Sequence, residues 1–302
     1  MMQPTIGFIG TGSLGKPIAA NLLSAGQPLL VFNRTASKAL PLAGAGAVIC
    51  QSVEELARQC RVVFSMVSDD RALSSICLGP GGLLEHLLPG SLHISMSTIL
   101  PQTAREISAL HKEKGQYYLA APVFGRPEAA AARKLQVVVS GDQQARTMAE
   151  PLLRLAGASG IWDFGEETAS ANTVKLCGNF LIAALMEAMG ESMALASKSG
   201  VDASAMWSMF NQTLFNTPLY HNYSRIILGA QFDPAAFTMT LGLKDIRLVL
   251  EQAASVDQSM PTAELLRGHM QHLVDSGKGN IDWSGVSLAV TQPPPPGSNI
   301  NH

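Results

Sequence analysis

Lys175 and Asn179 are the residues of this chain best suited to moving a proton. They stand four apart in Asn172-Thr173-Val174-Lys175-Leu176-Cys177-Gly178-Asn179, near the start of a run that reads as helix from about Ser170 to Lys198. Four residues make about one helical turn, so the two side chains share a face. The segment that follows, Phe180 to Ala196, is almost wholly apolar. A lysine beside so much apolar sequence is unusual, because charged residues are seldom fully buried without a partner. Burial disfavours the charged ammonium and brings its proton exchange toward the range useful in acid–base chemistry. Gly178 costs a helix about 1 kcal/mol, which suggests that something approaches closely there. The plain alternative is a lysine at a solvated helix start, and spacing does not choose between the two.

A second group of residues is suited to holding a dinucleotide. In Thr5-Ile6-Gly7-Phe8-Ile9-Gly10-Thr11-Gly12-Ser13-Leu14-Gly15, the glycines follow a β-rich apolar run and open a helical one (Ile18, Ala19, Leu22, Leu23). Gly10 allows the tight turn, Gly12 the approach of backbone to a pyrophosphate, and Gly15 the close packing of helix on strand. Thr11, Ser13 and Leu14 complete the loop, whose free N–H groups and helix dipole favour phosphate. The next strand, Pro28–Phe32, ends where an NAD site places Asp or Glu, roughly 20 residues on. Here that position holds Asn33, then Arg34 and Thr35, with Lys38 one turn later. A carboxylate would repel a 2′-phosphate, whereas Asn33 is neutral. Arg34 can pair with the phosphate and stack on adenine, and Thr35 can donate a hydrogen bond. The expected cofactor is therefore NADP, with NADPH preferred over NADH, although a solvated turn would also accept Asn-Arg-Thr. Met66, Val67 and Ser68, closing the fourth strand, are expected beside it. The adjacent Asp69-Asp70 looks like a catalytic carboxylate pair, but a helix N-cap and a first-turn acid explain it more simply.

These groups need a scaffold, and the order of elements supplies one. Strand-like runs alternate with helical ones in the first half, as in a parallel sheet with covering helices. After the first two strands come Ala47–Cys50, Arg61–Val67, Ser91–Met96, Gln116–Ala120, Leu135–Gly141 and Ile161–Phe164. Helices are expected at Val53–Gln59, capped by Ser52, and at Gln102–Glu113. From Glu166 the β signal stops. The long helix is closed by Gly200, a shorter one follows the N-cap Asp202, and others cover about Leu243–Ser255 and Thr262–Ser276. The expected fold is α/β: an N-terminal doubly wound sheet of Rossmann type (1–165), an all-α C-terminal domain (166–291) joined by a long interdomain helix, and a disordered Pro-rich tail (292–302). Met189, Met193, Met206 and Met209 read as core packing, and His269 with His272 as a solvated helix face.

Composition narrows the function. With 302 residues, two domains are natural, and 47% hydrophobic residues suffice to bury both. A net charge of −2 without a basic stripe argues against a nucleic-acid surface. Cys50, Cys60, Cys77 and Cys177 lack CxxC or metal-ligand spacing, so no metal is expected and free thiols in a reducing cytoplasm are the simplest account. The first strand begins too close to Met1 for a secretory leader. Phe180–Ala196 contains Glu187 and Glu191 and is shorter than the roughly 20 residues of a bilayer span. It reads as a helix buried between domains or subunits.

Several motifs in order carry a resemblance. From about residue 5 to 290 the chain resembles the β-hydroxyacid dehydrogenase family, which includes 3-hydroxyisobutyrate dehydrogenases and tartronate semialdehyde reductases. The opening motif extends through Lys16-Pro17-Ile18-Ala19-Ala20-Asn21-Leu22. Ser97-Thr98-Ile99 matches a loop beside the nicotinamide, and Ala121-Pro122-Val123 opens the substrate loop. Lys175 with Asn179 matches the catalytic pair, Lys244-Asp245 a pair in the C-terminal domain, and Asp282-Trp283-Ser284 the closing motif. The resemblance implies hydride transfer between a nicotinamide and a small carbonyl or hydroxy acid. Lys175 would supply or accept the proton, Asn179 would orient it or the substrate, and Ser97, Thr98 and Lys244 would serve the cofactor. It also implies a homodimer or larger homo-oligomer. One departure stands out. The family's substrate loop typically reads Asp-Ala-Pro-Val-Ser-Gly-Gly, and its serine and glycines hold a carboxylate. Here Val123 is followed by Phe124, Gly125 and Arg126. Phe124 donates no hydrogen bond, whereas the Gly125 N–H and the Arg126 fork remain available to an anion, if Arg126 is not simply a surface residue. Two other readings stay open: an imine reductase-like enzyme, which would usually place Asp or Tyr at Lys175, and a non-catalytic NADP-binding sensor or scaffold. The chain is too short for 6-phosphogluconate dehydrogenase.

Overall fold

A computed structural model describes residues 5–291, which form two compact units, one ending at Lys175 and one beginning at Leu176. The first unit is built on nine strands: β1 (Ile6–Ile9), β2 (Leu29–Phe32), β3 (Val48–Ile49), β4 (Val62–Ser65), β5 (Leu92–Ser95), β6 (Tyr117–Ala120), β7 (Val123–Phe124), β8 (Leu135–Gly141) and β9 (Ala158–Asp163). Their order is β3-β2-β1-β4-β5-β6-β8-β7, with β9 on β8. The first six are parallel, β8 runs antiparallel to β6 and β7, and β9 is parallel to β8. This is the doubly wound order, in which the sequence of strands reverses between β1 and β4 and ligands bind beyond their C-terminal ends.

Alternate residues of the same strands enter two separate cores, which explains why β1, β4 and β5 read as continuous buried runs. Ile6, Phe8 and Phe64 pack with Ile18 and Leu22 of helix α1 (Gly15–Ser24). Ile9 and Val63 pack instead with Leu56 of α2 (Val53–Gln59) and Leu73 of α3 (Asp70–Leu78). Local capping sets the helix starts. Ser52 Oγ accepts from Glu55 N at 3.1 Å, Glu55 accepts in return from Gln51 N at 2.7 Å, and Asp69 accepts from Ala72 N at 2.8 Å. Asp69 is thus the expected N-cap, and Asp70 accepts from Leu100 N at 2.9 Å. Helices α4 (Pro101–Glu113) and α5 (Gln143–Ala156) also belong to the unit.

Helix α6 (Ala169–Lys198) starts in the first unit and continues in the second. Gly200 ends it in a left-handed conformation (φ +74°), as expected. By length and composition alone α6 is apolar enough to cross a membrane. Its Ala183, Met186, Met189 and Met193 are buried, whereas Leu181 and Leu195 are exposed. The second unit continues with α7 (Ala203–Gln212), capped by Asp202, then α8 (Pro218–Leu228), α9 (Met239–Ser255) and α10 (Pro261–Leu273). Buried Asp282 accepts from the backbone N–H of Ala236 and Ser284 and from Ser284 Oγ, and Trp283 donates to Tyr223 Oη at 3.1 Å. The closing motif is therefore a structural clasp.

Several expectations are corrected. β7 and α8 were not among the expected elements, and β9 begins three residues earlier than expected. α9 begins at Met239 because Thr238 caps it, accepting from Leu241 N. α10 passes at Val274 into a π turn over Val274–Lys278, so the helical path reaches the expected Ser276 before Gly277 (φ +79°) leaves it. Met209 is exposed, since it faces away from the buried Trp207 two residues before it. The tail from Gln292 lies outside the described residues.

Candidate active site

At the C-terminal ends of β1, β2 and β4, a cavity of about 520 Å³ is lined by Gly10, Gly12, Asn33, Arg34, Thr35, Lys38, Met66, Val67 and Ser68. Nine of the expected cofactor residues therefore meet in one place. Two of the three glycines are required sterically. A Cβ on Gly10 (φ +96°) would stand 2.1 Å from Met66 O, and one on Gly15 would stand 1.9 Å from Gly10 O. A Cβ on Gly12 would meet nothing within 4 Å, so its backbone faces open space. Asn33 does more than line the cavity. Its Oδ1 accepts from Thr11 N at 2.9 Å and its Nδ2 donates to Thr35 O at 2.8 Å. The side chain at the end of β2 thereby fastens the glycine loop.

The site fits a dinucleotide phosphate. Thr11 Oγ1 is buried with no hydrogen-bond partner, Arg34 and Lys38 supply cations, and the loop opens a helix, whose N-terminus favours phosphate. Thr11, Ser13, Leu14 and Gly15 shape the loop without lining the cavity. Leu14 packs on the core and Ser13 is exposed. Ser97 is buried and its Oγ accepts from Val67 N at 2.9 Å, which joins its loop to the cavity wall. Gln51 and Ser52 beyond β3, Glu54 in the first turn of α2, and Gly81 also line the cavity. Sequence reasoning missed them, although the rule that ligands sit beyond the strand ends would have pointed to Gln51 and Ser52.

Behind β4 and β5 lies a buried polar group that spacing concealed. Among the described residues, Cys77, His93 and His111 are the group whose ligand atoms converge as a metal site requires, all within 4.8 Å of one another. The imidazoles are otherwise engaged. Ser65 Oγ lies 2.8 Å from His93 Nε2, His93 Nδ1 3.0 Å from His111 Nε2, and His111 Nδ1 2.8 Å from Gln116 Oε1, while Gln116 donates to Leu87 O at 2.7 Å. Two neutral imidazoles, each donating from Nδ1 and accepting at Nε2, satisfy this chain in one direction. Burial pushes His93 well below the usual histidine range and His111 down to about 4, and it pushes the Cys77 thiol up. The group is a neutral network beneath the sheet.

Lys175 lies on the first turns of α6 and is 9% exposed, so the solvated-start alternative does not hold. Its Nζ sits over the ring of Phe124, 4.3 Å from the centroid. Strand β8 holds both residues. Phe124 pairs with Gln136 in the β7–β8 ladder, and Ser140 Oγ donates to Thr168 O at 2.7 Å and accepts from Ala171 N at 2.9 Å at the head of α6. Val123 is buried against the core, and strand alternation turns Phe124 to the other side. Gly125 follows at φ +141°, where a Cβ would lie 2.6 Å from Leu135 Cδ2. The partly buried Arg126 Nε lies 4.0 Å from Glu128.

Asn179, one turn after Lys175, belongs to the second unit. It donates to Asp245 Oδ2 at 2.5 Å, and Lys244 Nζ lies 2.7 Å from Asp245 Oδ1. Asp245, 1% exposed, thus fixes the Asn179 carboxamide, a role the sequence did not reveal. Lys244, one of the expected cofactor residues, pairs with this carboxylate. One reading is corrected: His269 is not on a solvated face but bonds buried Glu187 at 2.7 Å, which raises its pKa.

Comparisons with known proteins agree with this fold. Residues 5–168 match the family profile of the NAD binding domain of 6-phosphogluconate dehydrogenase. Residues 169–289 match that described as the NAD-binding of NADP-dependent 3-hydroxyisobutyrate dehydrogenase. An uncharacterized oxidoreductase of Bacillus subtilis, YfjR, is 40% identical over 94% of this chain and 99% of its own. The 3-hydroxyisobutyrate dehydrogenase of Pseudomonas aeruginosa is 31% identical over 93% and 96%. Among solved structures, the Mycobacterium tuberculosis 3-hydroxyisobutyrate dehydrogenase with L-serine superposes with a TM-score of 0.86 at 26% identity, covering 96% of this chain and 99% of that one.

Proposed function

The chain belongs to the β-hydroxyacid dehydrogenase family of oxidoreductases, and from that premise we propose an NADPH-dependent reductase of small carbonyl compounds in which Lys175 handles the proton. The observation that carries the reading is the buried Lys175 ammonium beside the substrate loop of the same unit that holds the nucleotide cavity. The preference for NADPH rests on Arg34 and Lys38 at the cavity and on a neutral Asn33 where a carboxylate would repel the 2′-phosphate.

When bound, the nicotinamide supplies a hydride to a carbonyl carbon, or takes one from the corresponding alcohol. The glycine loop would hold the pyrophosphate, with Arg34, Thr35 and Lys38 around the 2′-phosphate and Met66, Val67 and Ser68 along the cavity wall. The protonated Lys175 gives its proton to the oxygen as negative charge develops there in reduction, and the neutral amine takes it back in oxidation. Asn179, fixed by Asp245, orients the group next along α6. The Gly125 N–H and the Arg126 guanidinium are the anion-binding groups of the substrate loop, so a carboxylate-bearing aldehyde is the first substrate class to try.

The decisive assay is oxidation of NADPH, with NADH in parallel, against small aldehydes, semialdehydes, keto acids and cyclic imines. Turnover of a carboxylate-bearing aldehyde is expected. Lys175→Ala should lower kcat by about 10²–10⁴-fold and leave NADPH affinity within a few-fold. Unchanged turnover in that variant removes Lys175 from the mechanism. Turnover of imines alone moves the enzyme to carbon–nitrogen chemistry.

A further inference from the structure

The Phe124 ring stands against the Lys175 ammonium at 4.3 Å, a distance at which a cation is attracted to the face of an aromatic ring. We propose that Phe124 is a positioning residue for this reaction: its ring face holds the Lys175 ammonium at the point from which the proton is delivered. The proposal rests on the reading of Lys175 as proton donor.

Three observations converge on it. A lysine side chain has four flexible carbons and about 2 kcal/mol of rotamer entropy, so each contact on its end narrows where the ammonium can stand. An aromatic face attracts the charge and accepts no proton. The frame is also rigid. β7 carries Phe124 on β8, Ser140 of β8 fastens the first turn of α6, and Lys175 is on that helix, so a single strand sets the distance between ring and ammonium. Finally, Gly125 has no Cβ where one would strike Leu135, which lets the chain turn directly after Phe124 and keeps the ring at the end of β7.

The contact can be read without turnover. Reductive ¹³C-methylation of the full-length enzyme leaves lysines charged, and the Lys175 signal is identified by its loss in Lys175→Ala. In the wild type that signal should be displaced upfield by the ring current of Phe124. The displacement should persist in Phe124→Tyr and vanish in Phe124→Leu, which keeps apolar volume but has no π face. In steady-state assays, Phe124→Leu should lower kcat about 2- to 30-fold, the range of a partly desolvated cation–π contact, with the KM for NADPH unchanged. Phe124→Tyr should restore the rate to within about 2-fold by keeping the ring. Displacement and kcat loss appearing together uphold the proposal. An identical Lys175 signal in wild type and Phe124→Leu overturns it, as does an unchanged kcat. Failure of the proton-donor reading shows separately, as normal turnover in Lys175→Ala.

Discussion

The nucleotide cradle and the lysine face of the first unit solve opposite problems. The cradle recognises its ligand through backbone and exposed polar side chains. Its glycines are there for what they lack, and Arg34 and Lys38 reach out from the end of β2 into water. The lysine face keeps one charge out of water and holds it against an aromatic ring. In the first region a change of side chain is felt through added bulk or lost charge. In the second it is felt through the loss of a partner. The cradle should therefore tolerate polar exchange at its rim but not one extra methyl at its base.

The strongest way to break this contrast is Gly15→Ala. The new Cβ would stand 1.9 Å from Gly10 O, and both partners are backbone. A loss of roughly 3 kcal/mol is expected, a fall in Tm of roughly 6–12 °C, together with loss of NADPH binding by fluorescence titration. Normal melting and binding would show that the loop relaxes and that Gly15 has no packing role.

A second effect comes from the histidine pair beneath the sheet. The folded-state pKa of His111 is about 4, below the ordinary 6.5, and burial holds that of His93 well below 6.5 as well. Above pH 6.5 both are neutral in folded and unfolded chains and contribute no pH dependence. As pH falls below 6.5 the unfolded chain takes up protons that the folded chain refuses, so stability declines until the folded pKa is reached. For His111 the decline amounts to about 3 kcal/mol between pH 6.5 and 4. Urea midpoints across that window should fall more steeply in the wild type than in His111→Asn. Equal slopes would mean that the imidazoles are solvated or already charged.

The smallest effect sharpens the chemistry of the cradle. Arg34 is exposed, so its contact with a 2′-phosphate is screened and is expected to be worth about 1–2 kcal/mol. Arg34→Ala should raise the KM for NADPH roughly tenfold and leave that for NADH nearly unchanged. Equal changes for the two cofactors would place recognition of the 2′-phosphate elsewhere.

Much of the scaffold was legible because its signals are local. Gly10, Gly12 and Gly15 sit in one loop, Asn33 to Lys38 in one turn, and Ser52, Asp69 and Asp202 cap helices within three residues of themselves. Of the elements that escaped, one had no period to read: β7 is two residues long and exists because β8 pairs with it. α8 did carry one, since Leu219, Tyr223 and Ile226 stand at helical spacing, and it could have been read. The same limit applies to individual side chains. His269 seemed solvated because Glu187, its partner, is far away in the chain, and Asp245 revealed nothing of Asn179 for the same reason.

By itself, then, the sequence determined the doubly wound sheet, the glycine cradle with its basic rim, the long helix, and the pairing of Lys175 with Asn179 on one face, since each follows from periodicity, capping or spacing along the chain. Tertiary structure alone decided that Lys175 is buried, that Phe124 meets its ammonium, that Asp245 fixes Asn179, and that two histidines and a cysteine close into a neutral network. Those facts depend on distances between residues remote in sequence. Such distances are set only when strands pair and helices pack, and burial then decides which charges survive.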